Sequence, residues 1–365
     1  MVQHDNPKQR KVSSRRVWFG STPSSLGSAL WAFFAILICV HFTLSYDALP
    51  DYLNLGQYTR GLAPTPYQYR LLPMLLFRLL SARPILLKVA QHAPAQFRDP
   101  HQIVQMIFVL LSMLGSILAT AGTLSNLTGD RIFSRWFSFL VVYMAYFDLA
   151  PGWGLAYSFP YDVPSLFFFS IGVYLTVVQK SWLYYLVYPL AALNRETICF
   201  LSIFFLIWKW QESRGRLASW SRNKQLQLFA HAAAQAAIWI GVKIYVAHLY
   251  AGNPVEGAGQ GHNSLLNHKL PFNLHELMKP QQWPVLMSAF GFLLPVLWAQ
   301  RRWIQRPSIL WSCALLFPLW FVGMMLVGII TELRVFSELS AFAVPALALI
   351  VHNRFYPRAI QAYSP

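Results

Sequence analysis

QIVQMIFVLLSMLGSILATAG, residues 102–122, is a run of 21 residues without a charge. A helix of about 20 apolar residues is long enough to cross the hydrocarbon core of a bilayer. A second such run, SALWAFFAILICVHFTLSY at 28–46, lies near the N-terminus. Neither run alternates between apolar and polar residues, as the strands of a membrane barrel would. These runs therefore predict an integral membrane protein made of helices.

The composition of the 365-residue chain is typical of the same class. Hydrophobic residues make up 56% of it and charged residues only 12%, whereas a soluble domain carries about 25% charged residues. The net charge of +16 would indicate nucleic-acid binding in a soluble protein. In a membrane protein an excess of Lys and Arg marks the loops that face the cytoplasm, so we expect no nucleic-acid partner.

The apolar runs predict an all-α, polytopic transmembrane bundle with about ten spans. The predicted spans are 28–46, 103–124, 135–150, 160–179, 182–194, 197–210, 226–250, 283–299, 308–330 and 334–352. The pair around Asn194 can equally be one long tilted helix. No internal repeat is visible, which weakens a transporter built from inverted repeats.

Basic segments set the predicted orientation, with both termini in the cytoplasm. The predicted division of the chain is a basic cytoplasmic segment at 1–27, a transmembrane catalytic domain at 28–352 and a cytoplasmic tail at 353–365, with external loops at 47–102 and 251–282. The expected location is a bacterial inner membrane.

Residues 67–100 leave two topologies open. The stretch YQYRLLPMLLFRLLSARPILLKVAQ at 67–91 can cross the membrane, or it can lie along its outer surface as amphipathic helices. The number of Lys and Arg residues placed in the cytoplasm does not decide between the two topologies. The surface-lying arrangement gathers most of the membrane-proximal charges at one face. Since charges near the bilayer core cost several kcal/mol unless they are paired or wet, we prefer this arrangement.

Asp47 and Asp51 follow the first predicted span directly, in SYDALPDYLNLGQYTRG. Their spacing would put both on one face of a helical turn, although Pro50 opposes a regular helix. They either anchor the helix end at the interface or act as a general base or metal ligand.

Tyr69 and Arg70 stand in PTPYQYRLLPML, directly before another apolar run. An arginine at this depth can hold a phosphate with two parallel hydrogen bonds. The alternative is an interfacial arginine whose charged head reaches for water.

Asp148 and Asp162 flank a loop rich in aromatic residues, Gly and Pro between two predicted spans. Asp162 begins the next helix, where a carboxylate can cap free N–H groups. Aromatic rings beside carboxylates also suit a sugar ring, so this loop is a candidate acceptor groove.

NRET places Asn194, Arg195 and Glu196 within an apolar stretch. A buried ion pair is rarely favourable for stability alone, which makes a functional site the default interpretation. We expect Glu196 to neutralise Arg195.

ITELRVFSEL repeats this pattern at the last span, with Glu332, Arg334 and Glu338. Together with Arg70 and Arg195, Arg334 would form an outward-facing cationic pocket for a lipid-linked phosphate or pyrophosphate. The nearby carboxylates would orient the arginines or transfer protons. No spacing of Cys39, Cys199 and Cys313 suggests a metal site or a redox pair.

The layout resembles the multi-spanning GT-C glycosyltransferases, which use polyprenyl-phosphate-linked sugars. Those enzymes have an acidic residue just past the first span, which matches Asp47 or Asp51 here. The stretches YQYRLLP, YDVPSLFFF, NRET and ELRVFSE also look like those of bacterial membrane proteins of presumed glycan assembly. The chain departs from the pattern in two ways: no acidic pair such as Asp-Asp follows the first span, and we expect no large soluble C-terminal domain.

The resemblance implies transfer of one sugar from a polyprenyl-phosphate carrier to the hydroxyl of an external glycan or lipid. A carboxylate would take the proton and arginines would stabilise the leaving phosphate. The candidate catalytic residues are Asp47, Asp51, Asp162 and Glu196; the candidate phosphate-binding residues are Arg70, Arg195 and Arg334; the supporting residues are Tyr69, Asp148, Asn194, Glu332 and Glu338. No cofactor is implied, and a divalent metal stays open. The alternatives are a glycan polymerase or ligase, a transporter or flippase for an anionic lipid, and a scaffold whose charges only join helices.

Overall fold

The computed structural model describes residues 24–94, 97–151, 156–214, 222–255 and 269–356, and these form a helical protein. Apart from two isolated bridging pairs, the described residues form no strand. The helices are α1 (Ser25–Asp47), α2 (Leu55–Arg60), α3 (Leu71–Ser81), α4 (Pro84–His92), α5 (Pro100–Thr128), α6 (Arg131–Phe137), α7 (Leu140–Leu149), α8 (Asp162–Val177), α9 (Ser181–Asn194), α10 (Cys199–Arg214), α11 (Arg222–Leu249), α12 (Leu270–Leu277), α13 (Trp283–Met287), α14 (Leu294–Ala299), α15 (Pro307–Val327) and α16 (Ser340–Phe355).

Six helical segments are long and apolar enough to cross a membrane, judged by length and composition. They are α1, α5, α6 with α7, α11, α15, and α16 with the short helical segment before it. The prediction of a helical membrane protein is therefore confirmed. α8 is apolar but shorter, at 16 residues.

Local signals explain where the long helices begin and end. The Ser24 hydroxyl accepts from the Gly27 N–H at the start of α1, and the Asp99 carboxylate accepts from the His101 N–H at the start of α5. Pro100 follows as the first residue of α5, where a missing N–H costs nothing. Gly129 ends α5 with φ of 76°, a left-handed conformation that glycine adopts without strain.

α1 and α5 run in opposite directions, which fixes the position of the segment between them. The Gln102 amide donates to the Asp47 carboxylate at 2.8 Å. At the far end, Arg135 just beyond α5 donates to the Ser28 hydroxyl at 2.9 Å. Residues 48–99 therefore leave and return at the same end of the bundle, which we call the Asp47 end; the other is the Ser28 end. Within this segment the described residues form only short helices, the longest of which is α3; which side of a membrane they occupy stays a prediction.

Later contacts show that the chain keeps alternating between the two ends. The Asn194 amide at the end of α9 donates to the Tyr161 carbonyl at the start of α8. The Asn353 amide near the end of α16 donates to the Trp303 carbonyl, and His352 packs against Phe133 at the Ser28 end. As a result, residues 156–161, 195–198 and 328–339 all lie at the Asp47 end.

The span predicted at 283–299 is not one continuous helix. This segment forms α13, a short turn at Ala289–Phe292 and α14, because Phe290, Gly291 and Phe292 have left-handed φ of 57°, 63° and 62°. The Tyr143 ring occupies the space where a side chain at residue 291 would lie, 2.2 Å from an ideal Cβ. Only glycine therefore fits beside α7 at this position.

Candidate functional site

Arg195 lies at the centre of a buried ion-pair cluster at the Asp47 end. Its guanidinium is 3.0 Å from the Asp162 carboxylate and 2.9 Å from the Glu338 carboxylate. Both carboxylates are fully buried, and the Arg195 side chain is 7% exposed. Burial alone would lower the pKa of Arg195, but Glu338 and Asp162 raise it above its ordinary value, so this guanidinium stays charged.

The predicted pairing of Arg195 with Glu196 is wrong. Glu196 instead lies 3.0 Å from Arg70, far away in the sequence. The reason is local: Arg195 has an extended backbone, with φ of −158° and ψ of 141°, and successive side chains of an extended chain point in opposite directions. Arg195 therefore points towards α8 and the segment before α16, while Glu196 points towards the first loop.

Arg334 extends the cluster on one side. It pairs with Glu332 at 2.7 Å and approaches the second oxygen of Asp162 at 3.5 Å. Asp162 therefore bridges two arginines. Asp162 therefore does more than cap α8, since its two carboxylate oxygens accept from Arg195 and Arg334. Arg334, Glu332, Asp162, Arg195 and Glu338 form what we call the ion-pair cluster.

Glu338 is further held by three hydroxyl groups, of which Ser337 is the most distant donor at 3.4 Å. Ser165 donates to it at 3.0 Å and Thr197 at 3.2 Å. Glu338 lies in the short helical segment Leu333–Leu339 directly before α16, within the last predicted span. The cluster thus joins α8, the turn after α9 and the turn before α16.

Two aromatic rings, which we call the aromatic floor, lie beneath the arginines. Phe159 and Tyr161 have ring centroids 5.4 Å apart. The guanidinium of Arg334 lies 4.0 Å from the Phe159 centroid, and that of Arg70 lies 4.9 Å from the Tyr161 centroid. Such cation–π contacts contribute roughly 0.5–2 kcal/mol each. Through these ring contacts Arg70 lies at the edge of the ion-pair cluster, although no hydrogen bond joins Arg70 to Arg334 or Arg195.

Charges at this site are nearly balanced. Three arginines face four carboxylates, and Lys243 acts on Glu196 as a further cation. Burial would raise the pKa of Glu196, but Arg70 and Lys243 outweigh it and lower that pKa. An incoming anion must therefore compete with a carboxylate. Glu196, whose side chain is 34% exposed, can turn to solvent more easily than buried Asp162 or Glu338.

Several buried polar atoms at the site have no partner in the described part of the chain. They are Nε of Arg70, Nε of Arg195, the Tyr161 hydroxyl and Oδ1 of Asn194. Burial raises the pKa of Tyr161, so its hydroxyl remains a hydrogen-bond donor. Because unpaired buried groups cost about 1–3 kcal/mol each, these four mark a place where water or a polar ligand would be stabilised.

Asp47 and Asp51, the first-loop carboxylates, lie outside the ion-pair cluster. Asp47 accepts from Gln102, while Asp51 accepts from the Ser158 hydroxyl at 2.7 Å. Neither forms an ion pair with a described residue. Ser158 directly precedes Phe159, so Asp51 borders the aromatic floor from the accessible side. Tyr69, the supporting residue beside Arg70, is half-buried and packs with the apolar residues of the first loop.

Asp148 is buried at the end of α7, where it holds the broken segment. It accepts from the Phe290 N–H at 2.9 Å and from the Ser340 hydroxyl at 3.4 Å. Together with Arg334 and Tyr157 it lines a narrow cleft of about 10 Å³, which is room for about one water. A sugar or phosphate therefore needs this cleft to open, or another approach to the arginines.

The described residues contain no group of three or more His, Cys, Asp or Glu side chains that could hold a metal ion. His262 and His268 of the second large loop lie outside the described residues. The carboxylates that do converge, Asp162 and Glu338, share an arginine.

Sequence reasoning missed the residues that support the charges. Phe159, Tyr161, Ser165 and Thr197 are among them, and Trp239 donates from α11 to the Glu196 carbonyl at 2.8 Å. Tyr161 had a visible signal, since it directly precedes Asp162. Comparison of the chain with protein-family models, with curated proteins and with solved structures gave no match.

Proposed function

We propose that this chain is a membrane glycosyltransferase that takes its sugar from a polyprenyl-phosphate donor, in the manner of the GT-C enzymes. One observation carries the proposal: three arginines meet over an aromatic floor at one end of a membrane-embedded bundle, with accessible carboxylates beside them. Arginines bind phosphate with bidentate geometry, and aromatic faces suit a sugar ring. The donor should be lipid-linked, because its head group would then arrive at the depth where the helices end.

Arg70 and Arg334 are the proposed phosphate ligands. The side chains of their carboxylate partners Glu196 and Glu332 are 34% and 14% exposed, whereas Asp162 and Glu338 are fully buried, so phosphate can replace Glu196 and Glu332 at lower cost. Arg195 keeps its two buried carboxylates and holds the site together. This division refines the expectation that all three arginines bind phosphate alike.

The proposed reaction is a displacement at the anomeric carbon. The acceptor hydroxyl oxygen forms a bond to that carbon, the bond from carbon to the phosphate oxygen breaks, and polyprenyl phosphate leaves with both electrons. Asp51 or Asp47 takes the hydroxyl proton. Arg70 and Arg334 stabilise the charge that develops on the leaving phosphate.

Asp162 and Glu196 have different roles in this scheme from the first-loop carboxylates. Both oxygens of Asp162 face arginines and the residue is fully buried, so an acceptor hydroxyl does not reach it. We assign it to positioning Arg195 and Arg334. Glu196 orients Arg70 until the donor arrives.

The proposed topology has ten membrane passes, with both termini in the cytoplasm and the Asp47 end outside. A single cysteine at Gln91, in a chain without the three native cysteines, should react with an impermeant thiol reagent in intact cells or spheroplasts. Labelling only after permeabilisation would place the Asp47 end inside. Gln96, the other suitable position, lies outside the described residues.

The test of the reaction measures polyprenyl phosphate, the product common to all donors of this class. Purified protein in nanodiscs is incubated with a panel of radiolabelled polyprenyl-phosphate hexoses and pentoses and with extracted envelope glycan or lipid acceptors. We expect acceptor-dependent release of polyprenyl phosphate and label in the acceptor. Transfer of whole oligosaccharide blocks would indicate a polymerase or ligase. Movement of uncleaved donor across a vesicle membrane would indicate a flippase. If neither activity is found, the chain would be a scaffold.

A further inference from the structure

The first loop contains an unusual concentration of positive charge. Between Asp51 and Asp99 the chain has six Lys or Arg residues and no acidic residue. Arg78, Arg83 and Lys88 form no ion pair within the described residues, and all three are exposed. If the Asp47 end faces outward, this charge opposes the usual bias towards cytoplasmic Lys and Arg, so it needs a separate physical reason.

Two short helices present these cations beside apolar side chains. α3 packs Met74, Phe77 and Ser81 inward, with the Phe77 ring against Phe108 of α5. Its opposite face exposes Leu75 and Leu79. On α4 the side chains of Ile85 and Val89 are exposed, at 72% and 49%. This mixture of exposed apolar and basic residues on short helices is typical of segments that lie in the membrane interface.

The bend between α3 and α4 forms a cleft. Pro84 is the first residue of α4, and Arg83 before it has the extended conformation that a following proline favours. The cleft has a volume of about 450 Å³ and is lined by Leu75, Arg78, Leu79, Ala82, Arg83 and Pro84. Two arginine side chains therefore line this cleft, and its other four lining residues are apolar.

We propose that this bend is a docking site for an anionic phospholipid of the bilayer, with the head-group phosphate at Arg78 and Arg83 and an acyl chain along Leu75 and Leu79. The position agrees with such a ligand, because the segment leaves and returns at the ends of two membrane helices. The site is separate from the ion-pair cluster. It does not depend on the proposed reaction, so either idea can fail alone.

The experiment uses a fluorescent label on Ala82→Cys in the full chain, with the native cysteines replaced, in phosphatidylcholine nanodiscs. Brominated phosphatidylglycerol or brominated phosphatidylcholine is added as the quencher. Each interfacial Lys or Arg contributes a preference for anionic lipid of about five-fold. We therefore expect phosphatidylglycerol to quench at a mole fraction roughly ten- to thirty-fold lower than phosphatidylcholine.

Variants separate the outcomes. Arg78→Gln/Arg83→Gln should remove the preference, Arg78→Lys/Arg83→Lys should keep it, and the matched control Arg301→Gln/Arg302→Gln at the Ser28 end should not alter it. Should the glutamine variant fail to fold, 0.5 M NaCl on the unaltered site tests the same charge dependence. Equal quenching by both lipids, no quenching by either, or a preference retained without both arginines would overturn the proposal. Loss of the preference on adding inorganic phosphate, but not chloride of equal ionic strength, would also overturn it in favour of a free-phosphate site.

Discussion

The ion-pair cluster and the first-loop carboxylates lie at the same end of the bundle, but they are held in different ways. Asp162 and Glu338 are fully buried, and both contact Arg195. Asp47 and Asp51 each accept one neutral hydrogen bond and remain accessible. A carboxylate that neutralises a buried arginine cannot give up that role to accept a proton without destabilising the fold. We therefore propose that the first group supports the fold and that the second supplies the general base of the proposed reaction.

The largest expected effect comes from breaking the buried group. Arg195→Gln leaves the buried Glu338 without a cation and Asp162 with Arg334 alone at 3.5 Å, and an uncompensated buried charge typically costs about 3–5 kcal/mol. We expect a large loss of folded protein, measured as monodisperse yield and melting temperature in detergent, and with it a loss of activity.

The matched second variants decide which carboxylate is the partner of Arg195. Arg195→Gln/Glu338→Gln should recover much of the lost stability, because a glutamine can keep the hydrogen bonds from Ser165 and Thr197. Arg195→Gln/Glu196→Gln should recover nothing. If Glu196→Gln restores stability and Glu338→Gln does not, Arg195 is paired with its sequence neighbour Glu196, which would contradict the observed geometry.

The first-loop carboxylates should behave in the opposite way. Asp51→Asn or Asp47→Asn should reduce transfer by about 10²- to 10⁴-fold, the usual contribution of a general base, with folded yield near that of the unaltered protein. Release of polyprenyl phosphate measures the first quantity and size-exclusion chromatography the second.

The control for this pair is Asp130→Asn. It makes the same chemical change at the Ser28 end, where Asp130 accepts from the Phe133 N–H and asparagine caps a helix equally well. It should be fully active. Full activity in both first-loop variants would mean that the general base is not in this loop, and Glu196 would then be the accessible candidate.

The sequence predicted the helices better than the contacts between them. Helix positions depend on local apolar runs, so the segments at 28–46 and 103–124 were found within a few residues. The partners of Arg195 depend on the extended backbone at one residue and on chain segments far apart, which no local pattern encodes. The broken segment at 283–299 had visible signals in Pro284, Gly291 and Pro295, but its apolar composition equals that of a continuous span.

A third test concerns Arg70, which stands between the two groups. Arg70→Gln should weaken use of the donor by about ten- to a hundred-fold, since a charge-assisted hydrogen bond contributes about 1.5–3 kcal/mol. Glu196→Gln frees Arg70 from its counter-charge, so donor binding should be unchanged or a few-fold tighter. Donor affinity is measured from the dependence of initial rate on donor concentration. If Glu196→Gln weakens the donor as much as Arg70→Gln does, the pair is structural, and Arg70 then belongs with the buried group.

The smallest expected effect is the pH dependence of the Arg70–Glu196 pair. The pKa of Glu196 is lowered in the folded protein from an ordinary value of about 4.5, because Arg70 and Lys243 outweigh the effect of burial. A carboxylate with a lowered pKa stabilises the fold above its unfolded pKa, and this contribution disappears as pH falls through the folded value. Since the Glu196 side chain is 34% exposed, we expect this contribution to stability to be about 1 kcal/mol or less.

The melting temperature of the unaltered protein minus that of Glu196→Gln, measured in nanodiscs, should be positive and constant from pH 7 to about 5.5 and should shrink below about pH 4.5. In an Arg70→Gln background burial is no longer outweighed to the same extent, so the same difference should vanish or change sign near neutral pH. A positive difference that persists without Arg70 would mean that Lys243 alone holds Glu196, and the accessible pair would then not be the one that a donor phosphate has to displace.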